Sequence, residues 1–105
     1  MLTAAHNVVL IGMPGAGKST LGVLLAKAIG HDFIDTDLVM QRQAGMTLGS
    51  YLASRGYEAL RQLEAEVICA LDHAGTVIAT GGSAVYSQAA MQHLRANGRI
   101  VYLAV

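Results

Sequence analysis

Apolar positions follow two rhythms along this chain. The run Val8 to Ile11 is uninterrupted, as are "TVIAT" from Thr76 and "RIVYLAV" from Arg99, and a run without alternation predicts a strand buried on both faces of a parallel sheet. "DFIDTD" predicts a further short strand ending near Asp35. Between these runs the apolar spacing turns helical. Leu21, Leu24, Leu25, Ala28 and Ile29 predict the inward stripe of a helix that Gly30 stops. "LVMQRQAG" and "TLGSYLASRG" predict two short helices separated by Gly45 and closed by Gly56. From Tyr57 to about Leu71 a longer helix is expected, with Leu60, Leu63, Val67, Ile68 and Leu71 on one face, and "SQAAMQHLRANG" gives another.

Strands that alternate with helices predict an α/β fold: a parallel sheet in a three-layer α/β/α sandwich. Right-handed crossovers then place the loops after each strand on one edge, where binding chemistry collects. No repeat or linker divides the sequence, so residues 1–105 are expected to form one domain. The last strand has no following helix to cover it, which raises the expectation that these residues are the N-terminal part of a longer domain.

Composition narrows the function classes. The chain has 105 residues, 53% apolar and 13% charged, which favours a globular core over disorder. Lys plus Arg and Asp plus Glu both number 7, so no global field selects nucleic acid or an acidic membrane, and any anion site must be local. The single cysteine, Cys69, excludes an internal disulfide and a cysteine-based zinc cluster; it is expected as a buried side chain on its helix in a cytoplasmic protein. The N-terminus lacks the basic region and long apolar run of a signal peptide. His6, His31, His73 and His93 show no ligand spacing and are expected at the surface or in turns, while Met13, Met40, Met46 and Met91 are expected to pack.

The chemistry begins at Gly12-Met13-Pro14-Gly15-Ala16-Gly17-Lys18-Ser19, which fits G-x-x-x-x-G-K-[ST] and lies between a predicted strand and a predicted helix. Glycines let successive backbone N–H groups turn towards an anion, and the helix start adds its dipole. Gly12, Gly15, Ala16, Gly17, Lys18, Ser19 and Thr20 are therefore the expected nucleotide contacts, with Lys18 reaching the β- and γ-phosphates and Ser19 ligating Mg²⁺. Asp35 and Asp37 follow on the same edge. Asp37 is a candidate cap for a helix starting at Leu38. Beside a Mg-nucleotide, one carboxylate can hold a metal-bound water and the other can accept a hydroxyl proton. Arg61 lies three residues from both Glu58 and Glu64, either in a solvated ion-pair ladder or as a guanidinium that Glu64 orients for a substrate carboxylate. Gly81-Gly82 ends a strand where a ligand can approach bare backbone, or simply makes a tight turn.

The order GMPGAGKST, FIDTD, G-[x]₄-R-[x]₂-E and ATGG-[x]-AV resembles shikimate kinase, of the nucleoside-monophosphate-kinase-like P-loop group, through the whole chain. The resemblance implies transfer of the ATP γ-phosphoryl group to the 3-hydroxyl of shikimate with Mg²⁺ on a P-loop NTPase fold, incomplete at the C-terminus. It implies that Asp35 serves the Mg²⁺ shell, that Asp37 contacts the acceptor hydroxyls and acts as base, that Arg61 binds the acceptor carboxylate, and that Gly81 and Gly82 line the pocket. It also implies a lid, a second carboxylate-binding arginine and an adenine-binding segment beyond the fourth strand. Three positions depart from the family pattern: Tyr57 replaces a glutamate, Leu60 a phenylalanine and Ser83 a glycine. The alternatives are a kinase of another small hydroxylated acid or polyol, and a non-catalytic ATP-binding regulatory protein; a P-loop GTPase is disfavoured because no N-K-x-D signature is found. The expected partner is a small-molecule substrate, with no nucleic acid or membrane, and the expected state is a monomer.

Overall fold

A computed structural model of the chain describes residues 6–12, 17–81 and 83–103. The elements run β1 (Asn7–Gly12), α1 (Lys18–Ile29), β2 (Asp32–Asp35), α2 (Thr36–Ala44), α3 (Leu48–Arg55), α4 (Tyr57–Cys69), β3 (Thr76–Ala79), a 3₁₀ turn (Ala84–Tyr86), α5 (Gln88–Ala96) and β4 (Gly98–Leu103). The strands pair in the order β2-β3-β1-β4, all parallel, with Val9 of β1 in register with Ile78 of β3 and Ile100 of β4.

Successive side chains of a strand point to opposite faces, and here each face has its own core. Val8, Leu10 and Val77 pack with Ala26, Leu25 and Phe33 on the α1 side. Val9, Ile11 and Ile78 pack with Ile68, Ala90, Met91 and Leu94 on the side of α4 and α5. A third cluster, Met40, Leu63 and Val67 with Leu48, Tyr51 and Leu60, joins α2, α3 and α4. The expected three layers are present.

Helix α1 turns a different face inward from the one its leucines predict. Leu21, Leu24 and Ile29 are 43%, 60% and 43% exposed, whereas Gly22 and Ala26 are buried. A Cβ at Gly22 would run into the Phe33 ring and lie 3.4 Å from Leu10 Cδ1. The helix therefore sits on its smallest residues, because only they permit this close approach to the sheet. Cys69 also differs from expectation, since it is exposed. Leu63, Glu64, Val67 and Ile68 form the buried face of α4, and Gln62, Glu66 and Cys69, spaced by four and three, fall on the opposite one.

The cap of α2 is Asp35 and not Asp37: the helix begins at Thr36, and the Asp35 side chain accepts from the Asp37 N–H. Met40 and Met91 are buried and Met46 is half-buried, as packing predicts, while Met13 lies outside the described residues. His6, His73 and His93 are exposed and His31 half-buried. Among the described residues no helix is long and apolar enough to cross a membrane.

Candidate active site

The C-terminal ends of β1, β2 and β3 open onto one edge of the sheet, and the described part of the predicted phosphate site, Gly17 to Thr20, lies there. Lys18, the first residue of α1, donates from Nζ to the Gly12 carbonyl at 2.8 Å. The Ser19 hydroxyl donates to Asp35 Oδ2 at 2.7 Å, while Asp35 Oδ1 accepts the Asp37 N–H at 2.9 Å. Asp35 thus fastens the start of α2 to the start of α1. Gly17, Lys18, Ser19, Thr20, Asp35 and Asp37 line a cleft of about 380 Å³ with Ala79 and Thr80. Gly15 and Ala16 lie outside the described residues.

Among the described residues there is no group of three or more His, Cys, Asp or Glu side chains that could cage a metal. A hydroxyl and one carboxylate suit Mg²⁺, which keeps several waters and takes its remaining oxygens from phosphate. Ser19 and Asp35 therefore fit that ion better than a self-sufficient metal cage would.

A second cleft, of about 270 Å³, adjoins the first and shares Lys18 and Asp37 with it; Tyr57, Leu60, Glu64, Gly81 and Ser83 complete much of its wall. Gly81 leaves room for the Glu64 carboxylate: a Cβ there would meet it unless Glu64 moved, and would stand 3.5 Å from Asp37 Oδ1. Leu60 and Ser83, two of the departures from the family pattern, both face this cleft, as does the third, Tyr57.

Glu64 is the residue that sequence reading undervalued. It is 3% exposed, and its carboxylate accepts the Ser83 hydroxyl and the Gly81 backbone N–H. Burial holds its pKa above the usual 4.5, with the Asp37 charge adding to the rise and the hydrogen bonds from Ser83 and Gly81, together with the Arg61 charge, opposing it. Its signal was its position between Leu63 and Val67, inside the apolar stripe of α4. Asp37 is raised from its usual 3.8 by desolvation first and then by Asp35, against the pull of Lys18.

Arg61 has aromatic neighbours that neither expectation included. The Glu64 carboxylate is committed to Ser83 and Gly81, and the Arg61 guanidinium lies 5.0 Å from the Tyr86 ring centre and 5.8 Å from that of Tyr57. Arg61 and Tyr86 line a third cleft, about 320 Å³, that meets the second at Ser83. Tyr86 had no sequence signal, because a three-residue 3₁₀ turn carries no period to read. Gly82 lies outside the described residues.

Comparison with known proteins places this arrangement. The family model for shikimate kinase matches residues 14–105. Shikimate kinase 2 of Yersinia pseudotuberculosis (serotype O:3, strain YPIII) is 42% identical over 98 residues, covering 93% of this chain and 56% of the relative. Shikimate kinase 2 of Dickeya chrysanthemi is 40% identical over 96 residues, covering 91% of this chain and 56% of that protein. Among solved structures, shikimate kinase from Acinetobacter baumannii in complex with shikimate superposes with a TM-score of 0.87 at 32% identity, over 96% of this chain and 57% of that one. The chain thus spans somewhat more than half the length of the curated relatives it matches. With Lys18, Ser19 and the paired aspartates at one sheet edge, the Arg61 cleft reached from there through Ser83, and a family model spanning most of its residues, the chain belongs to the shikimate kinase family.

Proposed function

We propose that the protein is an ATP-dependent, Mg²⁺-requiring kinase that phosphorylates the 3-hydroxyl of shikimate. The observation that carries this reading is that Lys18 and Asp37 line both the phosphate-loop cleft and the cleft walled by Gly81 and Glu64. A transfer reaction needs such a junction, since the acceptor hydroxyl and the γ-phosphate must meet in line. The bound shikimate named for the Acinetobacter relative supports the choice of acceptor.

Mg-ATP, when bound, supplies the transferable phosphoryl group and part of the charge neutralisation. The rest is assigned to the chain. Gly12, Gly15, Ala16, Gly17 and Thr20 hold the phosphates by backbone and hydroxyl. Lys18 exchanges the Gly12 carbonyl for phosphate oxygen and stabilises the charge that develops. Ser19 and Asp35, already hydrogen-bonded to each other, would hold the Mg²⁺ shell. Asp37 orients the acceptor hydroxyl and takes its proton as that oxygen bonds to the γ-phosphorus, while the bond from the γ-phosphorus to the β–γ bridging oxygen breaks and ADP leaves. Arg61 receives the acceptor carboxylate as a two-pronged donor, and Gly81 and Gly82 let the acceptor ring lie against backbone. We assign the lid and adenine-binding segment to the additional length that the relatives have, and we take the protein to be a cytoplasmic monomer, the compartment resting on its single cysteine.

A coupled ADP-release assay on the whole gene product tests this. Shikimate-dependent turnover with saturation below the millimolar range is expected. Turnover with other hydroxylated acids or polyols but not with shikimate would move the acceptor, and nucleotide binding without any turnover would favour a regulatory ATP-binding protein.

A further inference from the structure

Two tyrosines close on Arg61, and core packing does not account for them. Tyr57 and Tyr86 are 55% and 69% exposed, yet both rings lie within contact range of the same guanidinium. One comes from the same helix a full turn earlier, where residues four apart share a face. The other comes from the 3₁₀ turn on the far wall of the cleft.

Of the two carboxylates three residues from Arg61, one is engaged elsewhere. Glu64, three residues on, gives its carboxylate to the Ser83 hydroxyl and the Gly81 N–H. A carboxylate partner would consume N–H donors of the guanidinium and cancel its charge. Aromatic rings do neither: they engage the flat face of the group and leave the donors at its rim for a second ligand.

We propose that Tyr57 and Tyr86 are positioning residues that hold the Arg61 fork for the acceptor's carboxylate, and that they set how tightly a carboxylate-bearing acceptor is gripped relative to an uncharged polyol. This rests on the assignment of Arg61 to the acceptor carboxylate. Ser83 has a supporting part, since its hydroxyl donates to the Glu64 carboxylate and so occupies one of its oxygens.

The test is steady-state kinetics with shikimate on the whole gene product, together with calorimetric binding of shikimate, for Tyr57→Leu, Tyr86→Leu, Tyr86→Phe and Arg61→Lys. Exposed ring contacts to a cation are worth a factor of about 2 to 5 each, so each leucine variant should raise KM and Kd by about that factor, with much less effect on kcat. Tyr86→Phe keeps the ring and should bring both constants back close to the parent's. Unchanged KM and Kd in both leucine variants, alongside a clear loss in Arg61→Lys, would overturn the role of the rings while leaving that of Arg61 standing. Binding that is indifferent to Arg61→Lys as well would remove the carboxylate assignment and the proposal with it. A fall in kcat with KM unchanged would also overturn it, because positioning of a ground-state grip acts on binding.

Discussion

Asp37 and Glu64 show what one pocket does to two carboxylates. Both are pushed above their ordinary values by burial, but Asp37 faces Lys18 and the phosphate cleft whereas Glu64 is tied down by Ser83 and Gly81. Asp37, which lines both clefts, is therefore the carboxylate proposed to exchange a proton with the acceptor. Asp37→Asn should lower kcat by about 10²–10⁴, the usual worth of a positioned base, with shikimate binding retained. In the parent enzyme the acid limb of kcat/KM against pH should lie above 3.8, the ordinary aspartate value, because desolvation and Asp35 hold the proton on. A limb at or below that value would remove Asp37 as the base. Gly81 is testable at the same scale. In Gly81→Ala the new methyl must displace the Glu64 carboxylate from its two donors, and a buried group left short of its hydrogen bonds costs about 1–3 kcal/mol. Urea denaturation should show a loss of that size, and an unchanged midpoint would mean that Glu64 swings aside freely.

Helix α1 shows how much of the elements could be read in advance. Its extent and its Gly30 stop followed from spacing, because a helix of this length announces itself by period and by a left-handed terminal glycine. Its orientation did not follow, because a hydrophobic stripe ranks residues by transfer energy, and the sheet accepted them by size. The same limit hid the exposure of Cys69 at the last position of α4 and the burial of Glu64 inside that helix's apolar face. That Lys18, Ser19 and the paired aspartates share one edge was legible because phosphate-binding chemistry fixes residue type at fixed spacing; the Arg61 surroundings were not, since Tyr86 arrives from a turn far along the chain. Gly22→Ala tests the size argument directly. Alanine is the better helix former by about 1 kcal/mol, yet its Cβ would collide with Phe33, and overpacking of this kind costs about 1–3 kcal/mol. The variant should be less stable than the parent by chemical denaturation; a gain would show that α1 can draw back from β2 without penalty. Helix α4 carries a pH signature of its own. A raised carboxyl stabilises the fold fully below its unfolded value of 4.5, and this contribution is lost as pH rises through the higher folded value. Melting temperature should therefore fall more steeply over that window in the parent than in Glu64→Gln, whose side chain does not titrate. Parallel profiles would show that Glu64 titrates alike folded and unfolded.

At the scale of the molecule, the sheet order β2-β3-β1-β4 puts β1 and β3 at the centre, so the start of α1 and the end of β3 flank the same space while β2 brings the aspartates alongside. Asn7 helps fix this arrangement from the opposite end of the strands: its Nδ2 donates to the His73 carbonyl at 2.9 Å and its Oδ1 accepts the Thr76 N–H at 3.1 Å, tying β1 to the entry of β3. Nucleotide binding should then be felt by the whole cooperative unit and not only by the loop. A ligand at about 100 times its Kd stabilises a fold by about 2.7 kcal/mol when it binds the folded state alone. Mg-ADP should raise the melting temperature correspondingly, and the increment should divide into two parts. Lys18→Ala removes the charge that meets the phosphates and should abolish most of the increment with or without the metal. Ser19→Ala removes the hydroxyl that joins Asp35 to the ion's shell, so it should erase the difference between ADP alone and Mg-ADP while leaving the ADP-alone shift largely in place. If instead the metal-dependent part survives in Ser19→Ala and disappears in Asp37→Asn, the ion sits on the acceptor side of the junction and Asp37 is occupied as its ligand. Asp37 would then be engaged at the moment its proposed proton transfer is needed, and the division of labour between the two aspartates would be reversed.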